Sequence, residues 1–283
     1  MKTMTPKTKK RALTLLRAVI QLAFFIFLPA AFTSGFSAVK YIFTQLGLGA
    51  PVKLTAFVTI FLVLCGYTIV FGRFFCGFAC AFGALGDAVR GGYVFVCKKL
   101  GKKPLRINKT VAKWLSYLKY IILTAIVLMC FGGVYGKLSG TSPWDVFSML
   151  HAGNFRLAKY GVGIALLVAI IVLMALTERG FCRFLCPMGA VFSLLPVLPV
   201  FALRRDRENC IKGCQACQNN CPADIALSDK GVQSGECFQC QKCIGVCPKK
   251  NISTGIKKLH GNEIWFTIIR AAALAALLVW AGC

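Results

Sequence analysis

The sequence predicts an all-α integral membrane helical bundle of four to five transmembrane helices, built by internal duplication and followed by a small α+β domain. Three observations predict it. The 283-residue chain is 57% hydrophobic with a mean hydropathy of +0.70, far above a soluble domain, and its apolar runs approach the length that crosses ~30 Å of hydrocarbon. The segment RFFCGFACAFGA at 73–84 returns as RGFCRFLCPMGA at 179–190, a constant offset of 106 residues. Beyond that duplication, eight cysteines fall in two runs, each closed by Cys-Pro.

The predicted spans are Leu13 to Ala31, Leu54 to Gly72, Leu118 to Val134 and Tyr160 to Leu176, with a fifth from Ile264 to Gly282. The first exceeds the apolar core of a signal peptide and reads as an uncleaved helix. The fifth is free of charge only over Ala271–Gly282 and lies on the surface as readily as it spans. The stretch Met188 to Leu203 is broken by Pro196 and Pro199, and is expected to lie in the interface or re-enter between helices. Arg270 and Lys119 sit near helix ends, where long side chains can snorkel to headgroups. The chain divides into a duplicated membrane domain over 1–205, a cysteine-rich domain over 206–256 and a hydrophobic helix over 257–283.

Four spans precede the cysteine runs, which therefore share a face with the N-terminus. Residues 1–17, 73–113 and 178–263 carry six, nine and twelve Lys and Arg, and the opposite loops 36–53 and 135–159 carry five together. By the positive-inside rule the N-terminus and the cysteine-rich domain are cytoplasmic in a multi-pass cell-membrane protein. Basic faces against membrane lipid account for the net charge of +25, with no call for nucleic acid.

The later run, Cys237, Cys240, Cys243 and Cys247-Pro248, has the spacing C-x2-C-x2-C-x3-C-P, which sets three thiolates on one loop around a cubane 4Fe-4S cluster. Zinc ribbons instead bring two C-x2-C knuckles from separate hairpins. The earlier run, Cys210, Cys214, Cys217 and Cys221-Pro222, carries one extra residue, which a loop absorbs. In bacterial-type double-cluster ferredoxins the fourth cysteine of each run serves the other cluster. Cys210, Cys214, Cys217 and Cys247 then form one site, and Cys237, Cys240, Cys243 and Cys221 the second.

In the duplicated motif, Cys76 and Cys80, like Cys182 and Cys186, are four apart and share a face of a helical turn. The two pairs are placed to converge on a third iron-sulfur centre or a metal. Packing cysteines or a surface dithiol pair are the plain alternatives. Cys65 and Cys130 read as small core hydrophobes, and Cys97 and Cys283 have no identifiable partner.

A dihaem cytochrome in the bundle would need four axial histidines, and the chain has only His151 and His260, neither inside a predicted helix. Asp87 and Glu178, beside the motifs, read as salt-bridge groups, and no predicted span carries a mid-helix acid. The segment 138–153 predicts a short helix begun by Ser142-Pro143 that gathers Trp144, Phe147 and Leu150 as an interfacial anchor.

The duplicated C-x3-C motif together with a double ferredoxin resembles the NapH/NosR-type membrane 4Fe-4S polyferredoxin family over roughly residues 10–250, in its short NapH-like form. Ala81 stands where the second copy has Pro187. The resemblance implies an electron-transfer subunit without a bond-making site of its own. It would link a cytoplasmic or quinol donor, a quinone among its partners, to an extracytoplasmic reductase or flavoprotein. Two readings stand beside it: an iron-sulfur redox sensor, and a thiol-based carrier of reducing equivalents through Cys76, Cys80, Cys182 and Cys186.

Overall fold

Pro29 breaks the first apolar run. In the computed structural model, which describes residues 6–105, 107–135, 142–155, 160–198, 203–206, 208–227, 235–249, 251–254 and 263–283, helix α1 (Pro6–Phe27) meets α2 (Ala30–Gly47) at a bend of 63°. Proline has no N–H for the carbonyl four residues back, and its ring crowds that carbonyl. The expected outer loop over 36–53 is therefore mostly helix, and only residues 48–55 connect α2 to α3 (Ala56–Phe71). The small and polar residues of TSGFS hid this helix, yet they let neighbours approach: a Cβ on Gly35 would lie 3.2 Å from Met188 Cε and 3.3 Å from Leu64 Cδ1.

Helices α3, α6 (Leu118–Phe131) and α8 (Gly161–Leu176) fall close to their expected positions, whereas much of the expected loop 73–113 is helical, as α4 (Ala81–Lys99) and α5 (Lys109–Leu115). Asn108 caps α5, which runs into α6. Among the described residues two helices, Lys109–Phe131 and Glu263–Trp280, are long and apolar enough to cross a membrane, or three with the bent α1–α2 pair as one span. Helices α3 and α8 are apolar at 16 residues each. α2 packs on α3 and α6, and α4 packs on α8.

Two short helices are buried among these. Ser142 caps α7 (Pro143–His151) by accepting from Asp145 N, as its sequence predicts. Trp144 and Phe147 face the core, not an interface: Phe82 lies 4.2 Å from Phe147 and Phe181 5.7 Å from Trp144, centroid to centroid. Residues 138–141 lie outside the described residues, as do His260 and Pro199. Helix α9 (Pro187–Leu194) buries Met188, Ala190 and Phe192 against α6, where protein satisfies a non-spanning segment.

The cysteine-rich lobe is α+β. Strands β1 (Leu203–Arg205) and β2 (Ile252–Thr254) pair antiparallel with Leu203 opposite Thr254, around α10 (Ala216–Asn219) and α11 (Lys242–Val246). Its core of Leu203, Leu227, Ile244 and Ile252 also takes in Leu13 of α1, so the lobe is seated on the first helix. Helix α12 (Glu263–Trp280) packs Leu274 and Leu278 inward and leaves Trp265, Ile269 and Trp280 exposed.

Neither predicted snorkelling cation reaches the surface. Lys119 is fully buried and donates from Nζ to Glu236 Oε1 at 2.6 Å. Arg270 is 1% exposed, its guanidinium between the rings of Phe74 and Phe266 at 4.7 and 4.5 Å. A carboxylate and two aromatic faces inside the protein hold these cations more closely than distant headgroups could.

The α2 and α6 backbones meet closely: a Cβ on Gly47 would sit 2.1 Å from the Phe131 carbonyl oxygen. Gly47→Val must push these helices apart, at a cost of about 1–3 kcal/mol. Thermal unfolding in detergent should show a lowered midpoint.

Candidate functional site

Both copies of the duplicated motif fold the same way. The N–H of Cys80 bonds the Phe75 carbonyl at 2.8 Å, and that of Cys186 bonds Phe181 at 2.9 Å, so each motif is one π-turn, Phe75–Ala79 and Phe181–Leu185. The expected α-turn is thus widened by one residue, as helices often are at functional sites. Cys80 and Cys186 leave the turns extended, with ψ of 124° and 114°, and cap α4 and α9. Ala81 and Pro187 occupy equivalent first-turn positions, so that difference leaves the backbone unchanged.

The turns bury all four cysteines in the core of the bundle, each residue 4–6% exposed. Cys186 lies within electrostatic reach of Cys182, Cys76 and Cys80, and Cys80 within reach of Cys182 and Cys76. Among the described residues no three Cys, His, Asp or Glu side chains form a single-ion site.

An arginine precedes each turn and crosses to the opposite copy. Arg179 donates to the carbonyls of Cys76 and Gly77, the latter at 2.9 Å, and a Cβ on Gly83 would lie 2.9 Å from its Nη1. Arg73 also reaches the second copy, where a Cβ on Gly189 would lie 2.9 Å from its Nη2, but it makes no bond to the carbonyls of that turn. Both arginines are at most 1% exposed. Arg73 bonds Ser193 Oγ and the Gly235 carbonyl, each at 3.3 Å, while its Nε and Nη2 find no acceptor among the described residues. Its charge falls on Cys76 and Cys186. Buried donors without an acceptor, beside four thiols, suit an anionic iron-sulfur cage.

Asp87 anchors this arrangement from α4. It bonds Arg179, Arg17 at 3.0 Å and Gln21 Nε2 at 2.8 Å, and Gln21 continues to the Gly77 carbonyl at 3.2 Å. Burial alone would raise its carboxyl, but Arg179 and Arg17 hold it well below the usual carboxylate range. Glu178 pairs with Lys242 at 2.9 Å. Both acids are salt-bridge groups, as expected, although Asp87 lies within a helix.

The ferredoxin-like runs gather as well. Cys243 lies within electrostatic reach of Cys240, Cys237, Cys221 and also Cys217, so the two runs come together without being sorted into the two expected sites. Arg205 donates to Cys210 Sγ at 2.7 Å and lies within electrostatic reach of Cys214 and Cys217, and Cys247 packs in the core that also holds Cys217, Cys237 and Cys243. The Phe238 carbonyl presses on the first π-turn, so that a Cβ on Gly77 would come within 2.3 Å of it. Glu236, beside Cys237, accepts from Lys119, Tyr120 and Arg73. Burial would raise its carboxyl, but Lys119 and Arg73 hold it below its ordinary value. Cys130 is buried and Cys65 half-buried, in line with packing roles, and Cys97 is buried in α4.

Sequence reasoning missed Arg73, Arg179, Gln21, Lys119 and Glu236. The two arginines had a signal, since Arg opens both copies of the repeat. The others depend on pairings between distant segments.

A family described as a 4Fe-4S binding domain matches residues 54–104 and 161–205. Each match holds one C-x3-C motif, and neither reaches Cys210. The chain is 30% identical over 243 residues to an uncharacterized protein of Methanocaldococcus jannaschii, covering 84% of this chain and 86% of the relative. This chain belongs to the NapH/NosR-type membrane 4Fe-4S polyferredoxin family. The ferredoxin-type protein NapH of Haemophilus influenzae is 28% identical over 209 residues, 70% of this polyferredoxin and 67% of NapH. YccM of Escherichia coli, named for a candidate role in electron transport, is 28% identical over 233 residues, 77% of this chain and 59% of YccM. No solved structure matches the chain. The polyferredoxin is a membrane iron-sulfur protein with a role in electron transfer.

Arg179 and Arg17 share Asp87 unequally, at 1% and 12% side-chain exposure. Arg179→Met removes the more buried cation on Asp87 and leaves the carboxylate to Arg17 and Gln21, and should lower stability by about 1–3 kcal/mol. Arg17→Met should cost clearly less, and parallel thermal melts of the two variants check the order.

Proposed function

We propose that this chain is a multi-pass electron-transfer subunit with three 4Fe-4S sites in a row. Cys210, Cys214, Cys217 and Cys247 hold the outermost, Cys237, Cys240, Cys243 and Cys221 the middle one, and Cys76, Cys80, Cys182 and Cys186 the membrane site. A 4Fe-4S cluster, when bound, supplies a centre that accepts or releases one electron. The chain's own part is to hold the sites in sequence, exclude water and set the local charge.

The observation that carries this reading is the Gly77–Phe238 contact. It seats the membrane thiol turn directly on the peptide that joins Cys237 to Cys240. The second copy has Arg183 at the matching position, donating to the Pro222 carbonyl at 3.0 Å beside Cys221. Both halves therefore grip ligand segments of the middle site. The 4Fe-4S binding description, which matches only the duplicated halves, also supports a membrane cluster. Buried thiols within electrostatic reach of one another favour a cofactor site over a dithiol carrier, which needs exposed sulfur.

The basic-residue count supports a cytoplasmic ferredoxin lobe and N-terminus. Leu13 seated in the lobe's core supports the same shared side. The donor is then a cytoplasmic carrier or a quinol, and the acceptor an extracytoplasmic reductase or flavoprotein.

Iron analysis of anaerobically reconstituted full-length protein tests the number of sites. About twelve irons per chain are expected, falling to about eight in Cys76→Ala/Cys182→Ala with the ferredoxin signals retained. About eight in both would remove the membrane site, and zinc without reducible iron would overturn the whole reading.

A further inference from the structure

The two arginines that open the repeat use their donors differently. Arg179 commits all three guanidinium nitrogens, to both Asp87 oxygens and to the carbonyls of Cys76 and Gly77. Arg73 shares a single nitrogen, Nη1, among Ser193 Oγ, the Gly235 carbonyl and Glu236 Oε2 at 3.3, 3.3 and 3.4 Å, the long end of the hydrogen-bond range. Its Nε and Nη2 meet no acceptor among the described residues, although the side chain is fully buried with one face on the Phe238 ring at 4.8 Å.

Those idle donors stand beside the membrane thiols. A Cβ on Gly189 would lie 2.9 Å from Arg73 Nη2 and 3.3 Å from Cys186 Cβ, and the Gly189 N–H itself donates to Cys186 Sγ at 3.2 Å. A backbone donor and a guanidinium donor are thus gathered at one cysteine, and the Arg73 charge also falls on Cys76. The surrounding charge is unbalanced as well. Lys119 holds Glu236 at 2.6 Å, so Arg73 has only part of one carboxylate, and Arg17 and Arg179 share Asp87. Four largely buried cations therefore face two carboxylates, an excess that is costly unless an anion accompanies it.

Reduction by one electron adds one negative charge to what the thiols hold. Burial opposes that charge, while a nearby cation and N–H donors to sulfur favour it and raise the reduction potential. We propose that Arg73 sets the reduction potential of the membrane site, its Nε and Nη2 donating to the sulfur of the bound cluster, a role closed to Arg179 because its donors are already used. The inference rests on the reading of Cys76, Cys80, Cys182 and Cys186 as cluster ligands. In the transfer that Arg73 assists, a site in the ferredoxin lobe loses one electron, the membrane site gains it, and no covalent bond changes.

An EPR-monitored potentiometric titration of the reconstituted full-length protein, with iron counted in each variant, tests this role. Arg73→Met should make reduction of the membrane site about tenfold less favourable, a fall of about 59 mV for a one-electron couple, and should move the lobe sites less. Glu236 keeps Lys119 and Tyr120 in that variant, so no carboxylate is stranded. Arg73→Lys, which keeps the charge and loses the planar fork, should recover part of the fall. Gly189→Ala, whose methyl displaces Nη2 without changing any charge, should lower the same midpoint with its iron retained. An unchanged midpoint in both Arg73→Met and Gly189→Ala, equal falls at every site, or loss of iron from both Arg73 variants with Gly189→Ala at the wild-type midpoint would overturn the role of Arg73. A wild-type protein with no signal that depends on Cys76 and Cys182 would overturn the cluster reading itself, and this role with it.

Discussion

Two guanidinium groups without access to water hold the centre of this protein together. Arg73 and Arg179 each begin a copy of the repeat, and each crosses to the other copy. Glycine is required where they land, because a Cβ at Gly83 or Gly189 would come within 2.9 Å of the incoming nitrogen. Their charge must be answered, since an isolated buried cation is costly. Asp87 answers Arg179, and Glu236 is the carboxylate within reach of Arg73, at 3.4 Å. Their charges also fall on the membrane thiols, that of Arg73 on Cys76 and Cys186 and that of Arg179 on Cys182. The turns, the ion pairs and the ferredoxin seat all depend on this crossed pair.

The duplication is close in backbone but not in surroundings. Gly77 and Arg183 occupy the same place in the two turns, and they meet the ferredoxin lobe differently. Gly77 admits a carbonyl into near contact, while Arg183 reaches out to another. Selection on one lobe bound asymmetrically to a two-fold bundle gives a physical reason for the difference. The same asymmetry places Lys119, from α6, under Glu236, and only the first copy's Arg73 joins it.

What could be read from the sequence was what depends on spacing along the chain. Apolar length located α3, α6 and α8 within a few residues, and cysteine spacing located both ferredoxin runs. The offset of 106 residues revealed that two cysteine pairs belong together. What escaped depends on pairing through space. Helix α2 escaped because its small residues lower hydropathy while tightening packing at Gly35 and Gly47. Lys119 and Arg270 escaped because a cation near a helix end looks the same whether it meets water or a buried partner. The π-turn escaped because nothing in C-x3-C distinguishes a bond five residues back from one four back.

As proposed, the membrane thiols hold a cluster in direct electronic contact with the one at Cys237, Cys240 and Cys243. EPR of the protein at stepwise increasing reduction measures this directly. The account predicts that the signal of the first reduced cluster broadens and splits as its neighbour gains an electron, through spin coupling between adjacent centres. Separate signals that sum without interaction, or the absence of any signal lost with Cys76 and Cys182, would contradict it.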